Sequence, residues 1–275
     1  MAPKLKLALV GCGRICEVAH FPGYQQHASH LVEVTACVDI NEERAKLMAA
    51  KAGPHCAVFT SLDEALAHGD FDAVDLMLLH TDHEPAIMAC FAAGKSVLME
   101  KPMSTSVEEC NRILAAAAEA GTTFLISEQS QYWAPVVKAK ELIESGVIGN
   151  VTSVTAYYKQ ASTQNMWANV LDGKGGQGDA KGVATHESGE PKPWRYDKRL
   201  TGGGVTIDGG AHWLRPMIML TPGKIDEVIG VIGHPFRPME GESFARALCR
   251  FDSGVVSMFE TDYSDSTFFG PENAL

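Results

Sequence analysis

Two short segments carry side chains whose types and spacing suit proton transfer. Residues 98–106, LMEKPMSTS, place Glu100, Lys101 and Pro102 directly after an apolar run. Residues 201–215, TGGGVTIDGGAHWLR, place Asp208 and His212 four apart, after a turn at Gly202–Gly204 and before the apolar helical stretch Trp213–Leu220. That spacing puts both side chains on one helix face if the first turn includes Asp208. A lysine and a histidine beside a substrate hydroxyl can relay its proton while hydride leaves the carbon. Pro102 biases Lys101 away from helical geometry and so restricts how its side chain leaves the chain. Each feature also has a plainer reading. Glu100 and Lys101 could be solvated charges at a strand end, and His212 a structural histidine.

Hydride chemistry needs a carrier, and the N-terminus supplies the pattern for one. In KLKLALVGCGRICEVAH, Gly11-x-Gly13-x-x-Cys16 stands between a strand and a helix. Gly11 permits the tight turn, and Gly13 lets the backbone approach a pyrophosphate at the helix N-terminus. Arg14 and Ile15, opening that helix, are counted as cofactor contacts with them. Cys16 takes the third position, normally Gly or Ala for close helix–strand packing. Asp39 ends the second strand, where a carboxylate takes the two ribose hydroxyls of NAD. It would repel a 2′-phosphate, and Ile40, Asn41 and Glu42 bring no arginine, so NAD is expected over NADP.

The elements around these residues alternate up to residue 127. Strand patterns at Leu5–Val10, Val32–Asp39, Ala73–Leu79, Ser96–Met99 and Thr123–Ser127 are separated by helical ones. Ser61-Leu-Asp-Glu64 and Ser106-Val-Glu-Glu109 are capping boxes. This order implies right-handed crossovers and an α/β, doubly wound parallel sheet over 1–127. Ligands bind such sheets beyond the carboxyl ends of the strands, where Lys101 falls. From 128 to 275 a helix (Val136–Ser145) precedes strands at Val151–Tyr158, Glu227–Ile232, Phe244–Phe251 and Val255–Thr261. They predict an α+β domain with an open, mostly antiparallel sheet. Between them, 161–192 reads as a long loop or lid.

Composition excludes several classes of function. Hydrophobic residues are 45% and charged residues 21% of the 275, which excludes a disordered chain. A formal charge of −11, with no Lys/Arg block, argues against nucleic acid or an anionic membrane as partner. The start, MAPKLKLALVGCG, does not read as a signal peptide, and no apolar stretch reaches a membrane span. Seven scattered cysteines, without a Cys-x-x-Cys pair, read as reduced thiols in the cytoplasm. His80 and His83 form a close pair, but no ligand set completes a metal site.

Gly11-x-Gly13, Glu100-Lys101-Pro102, Trp194-Arg195 and Gly202-Gly203-Gly204…Asp208…His212, in that order, resemble the Gfo/Idh/MocA oxidoreductases. The resemblance runs from about residue 5 to about 262. It implies a Rossmann domain followed by a sheet whose outer face often mediates a homodimer or homotetramer. It also implies hydride transfer between a nicotinamide and a sugar, polyol or related hydroxyl compound. Lys101 would be the acid/base lysine, His212 would assist the proton relay, and Asp208 would orient substrate. Glu100, Lys101, His80 and His83 would border the cofactor. Gln129, Tyr132, Trp194 and Arg195 would join Lys101, Asp208 and His212 at the substrate.

The chain departs from that pattern in places. Leu78-Leu79-His80 stands where the family usually has Thr-Pro-Asn, with His80 able to replace the Asn as a hydrogen-bonding group. Arg215 stands where an Asp is frequent, and Gln131 and Tyr132 stand where relatives often have Arg, which argues against an anionic substrate. The chain stops after SDSTFFGPENAL, where family members commonly continue. These departures keep a second reading open, a Rossmann protein that senses NAD(H) or a sugar without chemistry.

Overall fold

The computed structural model describes residues 3–161, 194–234, 239–264 and 273–274. They divide into two compact units, one ending at Ser127 and the other beginning at Glu128. The loop expected at 161–192 lies, from residue 162 onward, outside the described residues.

The first unit is built on six parallel strands. In chain order its elements are β1 (Leu5–Val10), α1 (residues 16–28), β2 (Val32–Val38), α2 (Glu42–Ala52), β3 (Ala57–Phe59), α3 (Leu62–His68), β4 (Ala73–Leu76), α4 (His83–Ala92), β5 (Ser96–Met99), α5 (Val107–Ala120) and β6 (Phe124–Ile126). The sheet order is β3-β2-β1-β4-β5-β6, with every pairing parallel. Side-chain alternation sends each strand into two helical layers. Ala8, Val10, Ala36 and Val38 pack with Ala65, Ile87, Cys90 and Ile113 of α3, α4 and α5. Leu7, Leu9 and Cys37 pack with Cys16, Phe21, Ala45 and Met48 of α1 and α2. Cys16 is wholly buried there, small enough for the tight helix–strand contact the glycine pattern requires. β3 is an addition to the sequence reading, and α1 carries two widened turns, Cys16–His20 and Tyr24–Ala28.

Caps hold the helices in register with the sheet. The Asn41 side chain accepts from Glu43 and Arg44 N–H to open α2, and Ser61 and Ser106 cap α3 and α5 as their boxes predict. Strand pairing aligns Val10, Leu76, Met99 and Ile126 in one row. The residues after them, Gly11, Met77, Glu100 and Ser127, donate their N–H groups to Val38, Val10, Leu76 and Met99 carbonyls. Gly11, Asp39 and Glu100-Lys101 therefore all leave the same end of the sheet.

The second unit holds α6 (Ala134–Glu144), β7 (Thr155–Ala161), α7 (Lys198–Thr201), α8 (Ala211–Leu220), β8 (Ile225–Gly233), β9 (Phe244–Phe251), β10 (Val256–Ser264) and β11 (Asn273–Ala274). Its sheet runs β11-β7-β10-β9-β8, antiparallel except for the parallel β7–β10 pair. α8 covers one face, where Met217, Trp213 and Leu214 pack on Ala156, Cys249, Phe251 and Phe259. The strands begin and end within a few residues of the expected ranges, with β7 starting four residues late.

Candidate active site

The crevice of the first unit opens where strand order reverses, between β1 and β4. Gly11 lies there at φ +91°, and a Cβ on it would come within 2.2 Å of the Met77 carbonyl oxygen. No side chain is tolerated at that turn. A Cβ on Gly13 would meet nothing within 4 Å, so its backbone faces open space at the head of α1. The helix begins after it, with Glu17 N–H on the Gly13 carbonyl, and the N–H groups of the preceding turn lack intrahelical acceptors. Asp39 is nine-tenths buried and fixed from both sides. Its Oδ2 accepts Cys12 N–H at 2.8 Å and its Oδ1 accepts Asn41 N–H at 2.8 Å. Burial raises the Asp39 pKa, against those two N–H groups, which favour its charged form. Each carboxylate oxygen keeps a lone pair for a hydroxyl donor. Open space at Gly13, the helix head and Asp39 are a set of residues that fits a dinucleotide.

Glu100 and Lys101 sit at the end of β5, with a cis peptide joining Lys101 to Pro102. Lys101 is half-buried, and its backbone N–H donates to Glu100 Oε2 at 3.1 Å. Glu100 Oε1 reaches His20 Nε2 at 2.8 Å, and His20 Nδ1 reaches Asp75 Oδ2 at 2.7 Å. His83, expected as a cofactor contact, is fully buried; its Nδ1 lies 2.9 Å from the Pro102 carbonyl oxygen, and burial lowers its pKa. A neutral His83 thus ties α4 to the turn that presents Lys101. His80 is also buried, with its ring 5.8 Å from that of His83. Arg14 and Ile15 are half-buried at the head of α1.

In the second unit the two residues four apart have separate partners. His212 Nδ1 lies 2.9 Å from Oε1 and 2.8 Å from Oε2 of Glu128. Burial would raise the Glu128 pKa, but hydrogen bonds from His212 and Ser130 outweigh it and lower it. A carboxylate on Nδ1 calls for a proton there, which leaves Nε2 as the second ring nitrogen. Asp208 Oδ2 accepts from Arg195 Nε at 3.0 Å and from the Tyr263 hydroxyl at 3.5 Å. Arg195 also stacks on Trp194, 4.3 Å from the ring centroid. Arg215 donates to Gln131 at 2.9 Å, Trp133 packs edge-on against Trp213, and Gln129 and Tyr132 are exposed. Among the described residues no group of three or more His, Cys, Asp or Glu could hold a metal.

Glu128, His20, Asp75 and Tyr24 escaped the sequence reading. Asp75 left a signal, since a charge inside the apolar run Ala73–Leu79 demands a buried partner.

A parallel sheet of this order, with a glycine turn at the reversal and a carboxylate at the end of β2, defines a dinucleotide-binding class of fold. The comparisons narrow the class. Residues 5–128 match the model of an oxidoreductase family with an NAD-binding Rossmann fold, and residues 136–268 match the GFO/IDH/MocA C-terminal domain. The chain belongs to the Gfo/Idh/MocA oxidoreductase family. An oxidoreductase structure from Thermotoga maritima superposes with a TM-score of 0.78 at 27% identity, covering 97% of this chain and 74% of that one. Among curated relatives, 1-carboxy-3-chloro-3,4-dihydroxycyclohexa-1,5-diene dehydrogenase of Comamonas testosteroni is 26% identical, over 74% of this chain and 45% of its own. The NADP-dependent D-xylose 1-dehydrogenase of Haloarcula marismortui is 25% identical, over 76% of this chain and 52% of its own. The chain spans about half the length of the first curated relatives it matches.

Proposed function

We propose that this protein transfers a hydride between a nicotinamide cofactor and a hydroxyl- or carbonyl-bearing carbon of a sugar- or polyol-like compound. Lys101 is the acid/base group, His212 assists its proton relay, and Asp208, held by Arg195, orients the substrate. One observation carries the reading: Lys101 leaves the same row of strand ends as Gly11 and Asp39. When bound, the nicotinamide supplies the hydride acceptor or donor. Lys101 holds the reacting hydroxyl and moves its proton; Gly11, Gly13 and the head of α1 admit the pyrophosphate; Asp39 takes the ribose hydroxyls and disfavours a 2′-phosphate. Gln129, Tyr132 and Trp194 border the substrate in this reading. The two curated relatives, by name a dehydrogenase of a dihydroxylated ring and one of a pentose, support the substrate class. A homodimer or homotetramer through the outer face of the second sheet and a cytoplasmic setting complete the proposal. Seven free thiols, five of them buried, support a reducing compartment, and no helix among the described residues is long and apolar enough to cross a membrane.

The test is Lys101→Met, assayed by NADH absorbance with a polyol and sugar panel beside a binding titration. Turnover is expected to vanish while NAD affinity stays within about twofold. Substantial remaining activity would remove Lys101 from the mechanism. A wild type that binds NAD but turns over nothing in a broad panel would favour a sensor instead.

A further inference from the structure

Asp75 lies on β4, a strand buried along its whole length, with its carboxylate fully inside. A charge in such a place persists only when paired and hydrogen-bonded. Its Oδ2 meets His20 Nδ1 at 2.7 Å and accepts from the Tyr24 hydroxyl at 2.8 Å. Its Oδ1 is buried with no hydrogen-bond partner among the described residues, so α1 carries the compensation through His20 and Tyr24. The second ring nitrogen of His20 meets Glu100 Oε1 at 2.8 Å. With a carboxylate on each nitrogen both must donate, which is the imidazolium form. Burial works against that charge, but the hydrogen bonds and charges of Asp75 and Glu100 push the His20 pKa to about 10. Beside the cluster, Tyr24 and Cys16 stay neutral. Burial raises Tyr24, while a hydrogen bond to Cys12 and burial raise Cys16. The contacts then reach the site, because Glu100 Oε2 accepts the Lys101 backbone N–H.

We propose that His20 is a positioning residue for Lys101: locked between Asp75 and Glu100, it holds the Glu100 carboxylate against the Lys101 backbone and fixes the segment from which the lysine departs. This deepens the function proposed above and rests on Lys101 being its acid/base group.

The test measures kcat, KM and NAD affinity of the full chain in wild type, His20→Gln and Glu100→Gln. His20→Gln leaves two carboxylates without the side chain that bridges them. Both variants should cut kcat by about tenfold or more with KM within about twofold, and His20→Gln should also keep NAD affinity within about twofold. Should His20→Gln fail to fold by circular dichroism, Glu100→Gln, which leaves the Asp75–His20 pair in place, decides by the same readouts. An unchanged kcat in a folded variant overturns the inference. Lys101→Met runs beside them: activity surviving in it sinks the acid/base reading, whereas its loss beside a wild-type-like His20→Gln sinks the inference alone.

Discussion

Glu128 shows what a single residue contributes that no local pattern announces. Its carboxylate lies on His212 Nδ1, so the ring is oriented and its tautomer chosen by a residue 84 positions away. Removing the charge while keeping the shape should therefore harm chemistry more than fold. Glu128→Gln is expected to lower kcat by about tenfold or more while leaving NAD affinity alone, as steady-state kinetics and titration would show. The same pair has a pH signature. Glu128 has a folded pKa below its unfolded value, so its contribution to stability is present above about pH 4.3 and is lost as pH falls through the folded pKa. The acid-side fall in Tm should be shallower in Glu128→Gln than in wild type. Lys101, Asp39, Asp208 and His212 were legible because sequence neighbours, glycines, a proline or a strand end, mark them. Glu128 was not, and neither was His20, whose partner Asp75 is 55 residues distant. Pairing across such separations is decided by sheet order, which no window of sequence displays.

At the scale of the element, the turn from β1 to α1 separates two reasons for glycine. Gly11 is needed by the fold, since its φ of +91° and the 2.2 Å approach to Met77 exclude a side chain. Gly13 has room for a methyl group and a φ that does not demand glycine, so its smallness serves whatever approaches from outside. Gly11→Ala should destabilise by about 1–3 kcal/mol or more, read as a fall in Tm. Gly13→Ala should keep Tm within a degree or two of wild type and weaken NAD binding by about tenfold or more. A Gly13→Ala protein that binds NAD normally would break the link between this turn and the cofactor. The strands of the first unit were readable because both faces are buried, which writes them as short apolar runs between caps. β3, Ala57–Phe59, was missed because three residues at a sheet edge give too short a run. The widened turns of α1 were also out of reach, since one extra residue in a turn leaves the apolar spacing nearly unchanged.

For the molecule as a whole, the second sheet poses the question of what covers its outer face. α8 fills one side, but Ile229, Leu248 and Met258 are 67%, 50% and 42% exposed and stand in one register line across β8, β9 and β10. Val231, two residues along β8, extends the patch at 65% exposure. Charged pairs flank the row on either side: Arg246 with Glu260 at 2.9 Å and Arg250 with Glu227 at 2.9 Å. An apolar centre with a polar rim is the anatomy of an association surface, and β8 adds an edge unpaired among the described residues beside it. A second copy of this chain, presenting the same row, would bury all of it with self-complementary geometry. The wild type is accordingly expected to be a dimer or larger by light scattering at micromolar concentration. Ile229→Lys puts a charge at the centre of the row and should cost about 2–4 kcal/mol of association, enough to raise the dissociation constant by about thirtyfold or more. Because the substitution lies on the face opposite α8, circular dichroism and Tm of the variant should stay near those of wild type. A monomeric wild type, or an Ile229→Lys protein that associates as tightly, would show that this face serves something other than self-association.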